Sequence, residues 1–151
     1  AAADVSAEEV AAAADPTFDR DFAAQVYTSN CSACHQPTGA GIPGAFPPLA
    51  GHAADLYMAV GGRSYLIDVL LYGLQGPITV NGMTYNGLMP AWAQLSDEQI
   101  AALVNHLVAG FAGSDAPEGF DAIQPSEVAA QRGQGLSGPQ VAERRAALGL
   151  D

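Results

Sequence analysis

The chain has 151 residues, 49% of them apolar, with five arginines, no lysine and sixteen acidic residues, for a formal charge of −11. The apolar share predicts a folded core, and the length suits one domain or a small domain with a tail. So acidic a chain is a poor candidate for binding nucleic acid or an anionic membrane, because both require a basic surface. No apolar run approaches the length of a membrane span.

Residues 1–17 are rich in alanine and acidic side chains and start without methionine. Ser6 and Glu9 form an S-x-x-E capping box, which predicts a short helix that ends at Asp15-Pro16. A start of small residues is typical of the end left by removal of a signal peptide, so we expect an exported, periplasmic protein.

A helical pattern begins at Phe18 and runs into two cysteines, and a loop rich in proline and glycine follows at 37–51. Two short helices are predicted next, in AADLYMAVGG and SYLIDVLLYG. For the second of these, we expect Ser64 as the N-cap and Gly73 at the C-terminal end.

The stretch ITVNGMTY predicts a β-hairpin, because two β-prone triplets flank Asn81-Gly82, a strong turn signal. The clearest helix follows in SDEQIAALVNHLVAGF. There, Ser96 and Gln99 form a capping box, and the apolar residues recur on one face.

Beyond residue 112 the chain is turn-rich and acidic, and a modestly amphipathic helix is predicted in SGPQVAERRAALGL. We therefore divide the chain into an N-terminal extension (1–17), a mostly α-helical domain with one small hairpin (18–112) and a C-terminal extension (113–151). The C-terminal extension is expected to contact the domain through Val141 and Leu148 without contributing to a functional site.

Both cysteines lie in CSACH, which places Cys31, Cys34 and His35 on one helical face. This C-x-x-C-H pattern is typical of c-type haem attachment, in which each thiol forms a thioether with the haem and the histidine binds the iron. A redox dithiol, a structural zinc site and a plain disulfide are weaker alternatives. The first needs a βαβ pattern, the second needs about four ligands, and the third leaves His35 without a role.

A methionine sulfur on the other side of the iron would close it to external ligands and raise its potential. Met58 lies in a short apolar helix and is expected in the core, and Met83 lies in the hairpin, where methionine fills gaps well. Met89 is the favoured ligand, because it lies in an irregular stretch, GLMPAW, that can project into a pocket.

The two remaining histidines show no spacing typical of metal ligands. We expect His52 in an exposed loop and His106 solvated on the polar flank of the last domain helix. His52 is the main alternative to the methionines as a second iron ligand.

The marks CSACH, FPPLAG, YNGLMPAW and LSDEQIAALVNHLV follow one another over roughly residues 18–112. In these marks the chain resembles the class I (mitochondrial-type) monohaem cytochromes c in their bacterial form. The resemblance implies the cytochrome c fold, with four or five helices around one covalently bound haem c and its iron. It also implies that the helices at 19–30 and 97–109 cross.

The same resemblance implies which residues hold the haem. Cys31 and Cys34 would form the two thioethers, and His35 and Met89 would be the axial ligands of the iron.

Five further residues would support the haem by resemblance. The carbonyl of Pro47 would hold the axial imidazole, Leu49 would pack on the haem, and Asn86 would hydrogen-bond the axial sulfur. Tyr85 and Trp92 would pack at the haem edge or reach a propionate.

The implied function is single-electron transfer between redox partners in the periplasm, with no enzymatic activity of its own. The chain lacks the lysine ring that the family's eukaryotic members carry around the haem edge, so their partners are not carried over to it. We expect this acidic chain to meet a basic or apolar docking patch. Two alternatives stay open, a haem subunit of a larger oxidoreductase (an oxidase, or a nitrite or sulfur-compound dehydrogenase) and a haem enzyme or gas sensor. The sequence predicts no oligomeric state.

Overall fold

The computed structural model describes residues 18–111 and 116–150. Within these ranges the chain forms seven helices and one two-stranded antiparallel sheet, which confirms the mostly helical prediction with a single hairpin. The helices are α1 (Arg20–Asn30), α2 (Ser32–His35), α3 (His52–Met58), α4 (Gly62–Tyr72), α5 (Asp97–Ala109), α6 (Pro125–Gln131) and α7 (Gly138–Ala146), and the strands are β1 (Leu74–Val80) and β2 (Met83–Met89). The short helix predicted within residues 1–17 lies outside the described residues.

The first and last domain helices, α1 and α5, pack against each other in the core. The ring of Tyr27 lies 4.8 Å from the His106 ring and 5.1 Å from the Phe111 ring, measured between centroids. His106 is 7% exposed, so the prediction that it is solvated was wrong. The reason is that Phe111, just past the end of α5, folds back onto the same side as Tyr27.

Local capping signals account for most helix starts. The Asp19 side chain accepts a hydrogen bond from the Phe22 amide at the start of α1. The capping box predicted for α5 is present, with reciprocal bonds between Ser96 and Gln99. None of the helices in the described ranges combines the length and apolarity that crossing a bilayer requires.

Helix α4 begins two residues before the predicted N-cap, Ser64. Its N-cap is Gly61, which adopts a left-handed φ of 88°. A side chain at Gly62 would collide with the carbonyl oxygen of Leu56 in α3. The junction between α3 and α4 is therefore a close backbone approach that only glycine allows, and a cap at Ser64 is not needed.

The hairpin is longer than the two triplets that predicted it. Its turn is Asn81-Gly82, with φ of 51° and 83°, as the sequence indicated. Pairing runs from Val80 opposite Met83 to Leu74 opposite Met89. Met89 is thus the last residue of a strand rather than part of an irregular stretch, because pairing continues through the glycines of both strands.

The loop between α2 and α3 contains no helix or strand, as predicted, apart from a bridge between Ile42 and Phe46. Gly39 organises it. Its φ is 75°, and its carbonyl oxygen accepts hydrogen bonds from the amides of Leu49 and Ala50. A β-carbon at Gly39 would lie 2.5 Å from the Phe111 ring, so the loop lies directly on the core.

The C-terminal extension contributes to the core. Val128 in α6 and Val141 in α7 are fully buried, and Leu148 is partly buried against the same cluster. The predicted contacts through Val141 and Leu148 are therefore present. The extension reaches much more of the domain than these two side chains, since α7 packs along α4 and β1 and α6 packs on α5.

Each of the five arginines hydrogen-bonds to a distant part of the chain. Their partners include the Ala109 carbonyl for Arg20, Glu127 for Arg63, Asp97 for Arg132, Asp68 for Arg144 and the Thr79 carbonyl for Arg145. Three of these bonds are ion pairs of 2.6 to 3.1 Å between an arginine and a carboxylate. The cations of the chain therefore join elements to one another.

Candidate functional site

An apolar cleft opens between the helical turn α2, the proline-rich loop and the hairpin. Together with its mouth it encloses about 840 Å³. Seven of the nine predicted site residues line it: Cys31, Cys34, His35, Pro47, Tyr85, Met89 and Trp92. Leu49 packs on the core beside the cleft, and Asn86 is exposed on β2. In the described part of the chain, the lining residues include no arginine and no carboxylate.

The two thiols lie where α1 ends and α2 begins, three residues apart and so about one helical turn from each other. The amides of Cys34 and His35 both donate to the carbonyl oxygen of Cys31, at 3.2 and 3.0 Å. Both cysteines are free thiols, Cys31 buried and Cys34 exposed. Burial, followed by the charge of Cys34, raises the pKa of Cys31 to about 11. This thiol is therefore neutral at ordinary pH.

The His35 imidazole is oriented by the proline-rich loop. Its Nδ1 lies 3.0 Å from the carbonyl oxygen of Pro47, and since that oxygen can only accept, Nδ1 carries the proton and donates. Burial lowers the pKa of His35, and the Pro47 hydrogen bond opposes this shift. A neutral imidazole whose Nδ1 is occupied presents the lone pair of Nε2 to a metal.

Only one of the three methionines reaches the cleft. Met89 is half-buried and lines it, whereas Met58 is 58% exposed and Met83 is 43% exposed, both away from it. The expectation that Met58 lies in the core was wrong. It ends α3 on the outer face, beside a shallow surface pocket that the hairpin turn also borders.

His52 is also placed differently from the prediction. It begins α3 and is 8% exposed, with Nε2 3.2 Å from a guanidinium nitrogen of Arg145. It is buried because α7, which lies more than 80 residues later in the chain, covers this end of α3. His52 does not line the cleft.

The wall that the hairpin contributes was not predicted from the sequence. Gly76 and Gly87 are directly paired and both line the cleft, between Leu74 and Ile78 on β1. A β-carbon at Gly87 would meet nothing within 4 Å, so this part of the wall is bare backbone. Glycine inside a strand pattern often marks a place where a ligand approaches the backbone closely, which was the available signal.

The side chains that meet in this cleft fit a covalently held haem. Two thiols one helical turn apart can form two thioethers, an oriented imidazole can bind iron, and a methionine sulfur comes from another wall. The bare backbone at Gly87 leaves room for a flat macrocycle, and the uncharged lining suits its apolar faces.

Comparison with known proteins agrees with this chemistry. The Cytochrome c family model matches residues 22–110. Cytochrome c-552 of Thermus thermophilus is 50% identical over 127 residues, which are 84% of this chain and 96% of that protein. A second cytochrome c-552 of the same species is 50% identical over 127 residues, which are 84% of this chain and 85% of that protein.

A more distant relative is the cytochrome c subunit of alcohol dehydrogenase (quinone) from Gluconobacter oxydans. It is 35% identical over 95 residues, which are 62% of this chain and 19% of that protein.

The likeness to the Thermus proteins extends past the family model. Their alignment leaves 24 of the 151 residues outside, whereas residues 113–151 number 39, so it includes part of the C-terminal extension. The extension lies beyond the residues that the family model matches, so this part of the likeness is shared with the Thermus proteins in addition to the family match. The fold, the donor set of the cleft and these relatives together show that the chain belongs to the cytochrome c family, as a class I monohaem cytochrome of the bacterial type that binds haem c covalently through a C-x-x-C-H motif.

Proposed function

We propose that this protein is a periplasmic carrier that shuttles single electrons between redox partners and catalyses no substrate reaction of its own. Haem c electron transfer is the activity of its family. The observation that carries the finer proposal is the convergence of His35 and Met89 on one uncharged cleft. When bound there, the haem iron supplies a one-electron centre.

Different residues of this chain would hold the haem and its iron at different points. Cys31 and Cys34 would anchor the haem edge near α2. Pro47 fixes the proton of His35 on Nδ1, so that Nε2 would be the atom that binds the iron. Met89, at the end of β2, would provide the second axial atom. Fixed ligands in an apolar site keep the reorganisation energy of electron transfer small when the charge of the iron changes.

Three more residues would complete the site. Tyr85 and Trp92 line the cleft, and the Trp92 amide donates to the Leu70 carbonyl of α4 at 2.8 Å, which anchors the segment after β2. Leu49, which is part of the proline-rich loop, packs on the core and would act by holding the loop there. For Asn86, a hydrogen bond to the sulfur of Met89 stays a prediction, since the asparagine is exposed.

A carrier is favoured over a haem enzyme or a gas sensor. An enzyme or sensor needs an open position on the iron and, for most chemistry, an acid or base beside it. A methionine lines this cleft, and no carboxylate or arginine is among its lining residues in the described ranges. The side chains therefore suit a closed, six-coordinate iron.

A free carrier is also favoured over a subunit of a larger oxidoreductase. The chain covers 96% of the Thermus cytochrome c-552 but 19% of the Gluconobacter dehydrogenase subunit. The bacterial members of this class are typically exported, which supports a periplasmic location.

Replacing the proposed methionine ligand tests this function directly. The oxidised protein should be low-spin and six-coordinate, with the weak near-infrared band typical of a thioether ligand. Met89→Ala should abolish that band, lower the reduction potential and allow the ferrous protein to bind carbon monoxide, because the iron loses an axial atom.

Met83→Ala is the matched control, since Met83 is on the same hairpin but lies away from the cleft. It should keep the band, the potential and the resistance to carbon monoxide. If the two variants behave in the opposite way, Met83 is the ligand. If neither changes the band, the sixth ligand is not a methionine and the carrier proposal loses its main support.

A further inference from the structure

One face of α7 lies along the whole of β1. The contacts come from Gly138, Ala142 and Arg145, which are spaced at i, i+4 and i+7 and so share a helical face. A β-carbon at Gly76 would lie 3.9 Å from the Ala142 β-carbon. A guanidinium nitrogen of Arg145 donates to the Thr79 carbonyl oxygen at 2.9 Å.

The closest of these contacts is at the start of α7. A β-carbon at Gly138 would lie 2.9 Å from the β-carbon of Gln75 and 3.1 Å from its backbone nitrogen. Gly138 has no positive φ, so its backbone conformation does not require glycine. What the position requires is the missing side chain, because it lets α7 approach the backbone of β1.

This contact lies behind the proposed iron ligand. In the sheet register, Leu74 pairs with Met89 and Gln75 pairs with Leu88. Leu74 and Met89 also both line the cleft. A shift of β1 at Gln75 is therefore carried through the ladder to the strand end that holds Met89.

Helix α7 is itself held from the other side, so it cannot easily retreat from β1. Val141 is fully buried, and Arg144 donates to the Asp68 carboxylate of α4 at 3.1 Å. Asp68 also accepts bonds from the side chains of Gln131 and Gln134 in the same extension. Because α7 is buried and hydrogen-bonded on this side, it is a fixed support for the hairpin.

We propose that α7 positions Met89 for the iron by backing β1, and that Gly138 is the positioning residue of this contact. The proposal rests on the proposed role of Met89 as the axial ligand. It gives the C-terminal extension a part in setting the iron–sulfur bond, beyond stabilising the fold.

The test is Gly138→Ala in the haem-loaded, full-length protein. The added methyl overpacks the contact and pushes β1 rather than the anchored helix. We expect partial loss of the near-infrared thioether band, a lower reduction potential, and a roughly tenfold gain in the affinity of the ferric protein for cyanide, which equals about 1.4 kcal/mol. Far-ultraviolet circular dichroism should stay unchanged.

Two companion variants separate positioning from general damage. Ala146→Leu adds bulk on the exposed face of the same helix and should leave the band and the cyanide affinity unchanged. Adding Gln75→Gly to Gly138→Ala removes the β-carbon that the new methyl meets, and should restore part of the band. Should Gly138→Ala not fold, Arg145→Lys weakens the backing at Thr79 and is expected to reduce the band as well.

The proposal is overturned if Gly138→Ala, or Arg145→Lys in its place, lowers the free energy of unfolding while the band, the potential and the cyanide affinity stay those of the parent protein. Met89→Ala distinguishes a failure of the ligand assignment from a failure of the positioning role. If Met89→Ala keeps the band, the ligand assignment fails. If it abolishes the band while Gly138→Ala and Arg145→Lys change nothing, the positioning role alone fails.

Discussion

His106 is buried between Tyr27 and Phe111, and its protonation is linked to the stability of the fold. Burial lowers its pKa below the ordinary 6.5, and the nearby charge of Arg20 lowers it further. Below pH 6.5 the unfolded chain therefore binds a proton that the folded chain resists, so stability falls as the pH falls. Above that pH the contribution is fully present.

We expect the free energy of unfolding in urea to decrease between about pH 7 and about pH 5, and His106→Phe to make this decrease shallower. Phenylalanine keeps an aromatic ring between Tyr27 and Phe111 but cannot take up a proton. Tyr27→Phe is the control, because burial raises the pKa of Tyr27 to about 12, far outside the interval. An equal pH slope in the His106→Phe variant and the parent protein would show that His106 does not titrate in this way.

At the scale of residues, the chemistry of the site was predictable and its surroundings were not. Cys31, Cys34 and His35 could be proposed because residue type and local spacing limit what they can bind. Met89 was proposed from an irregular stretch, but it is the end of a strand. The cleft wall of Gly76 and Gly87 depends on strand register, which the sequence specifies only through long-range packing. The burial of His52 depends on α7, which contacts it from the far end of the chain.

At the scale of elements, the proline-rich loop depends on the glycine that fixes it to the core. Gly39 has a φ of 75°, and a β-carbon there would lie 2.5 Å from the Phe111 ring. Gly44, in the same loop, has a φ of 80° and open space around it. Substitutions at these two glycines therefore allow the cost of backbone strain to be measured separately from the cost of collision with the core.

We expect Gly44→Ala to lower the free energy of unfolding by roughly 1 kcal/mol through strain alone. For Gly39→Ala the expected loss is roughly 3 kcal/mol, because overpacking adds to the same strain. Only Gly39→Ala should disturb His35, the proposed iron ligand, since the Gly39 carbonyl holds the loop segment after Pro47. Urea unfolding and the near-infrared spectrum measure the two effects. Equal losses in both variants would mean that the loop can move away from Phe111.

Elements whose signals are local were predicted well. The Asn81-Gly82 turn and the Ser96 capping box are set by neighbouring residues, and both are present. The length of the strands and the start of α4 were not predicted. Strand pairing passes through glycines that usually end an element, and α4 begins where a glycine allows close approach to Leu56. Both are decided by contacts between elements rather than by local preference.

At the scale of the whole molecule, the charge of −11 and the uncharged cleft lead to opposite expectations for a partner. Electrostatic steering would favour a partner with a basic docking patch, whereas docking at the cleft mouth alone would favour an apolar one. We expect steering to dominate, because a net charge of −11 acts across solvent before the two proteins are in contact.

The second-order rate of electron transfer to a physiological partner should then fall steeply as salt rises, since charges are screened within roughly 8 Å at physiological ionic strength. Stopped-flow kinetics over a series of salt concentrations measure this slope. Flat kinetics would indicate an apolar contact around Phe46 and Leu88, which border the cleft and are exposed. A rate that rises with salt would mean that the partner is itself acidic.

The hydrogen bonds of the five arginines also affect how readily proteases that cleave after basic residues can cut the native protein. Enzymes that cleave after basic residues need the side chain and the flanking backbone to enter the protease as an extended strand. In this chain, which has no lysine, four arginines are inside helices and Arg132 caps one, and all five are bonded to distant partners. Cleavage at these positions therefore has to wait for local unfolding. The same bonds that join the extension to the domain make trypsin-like digestion a measure of how often the extension detaches.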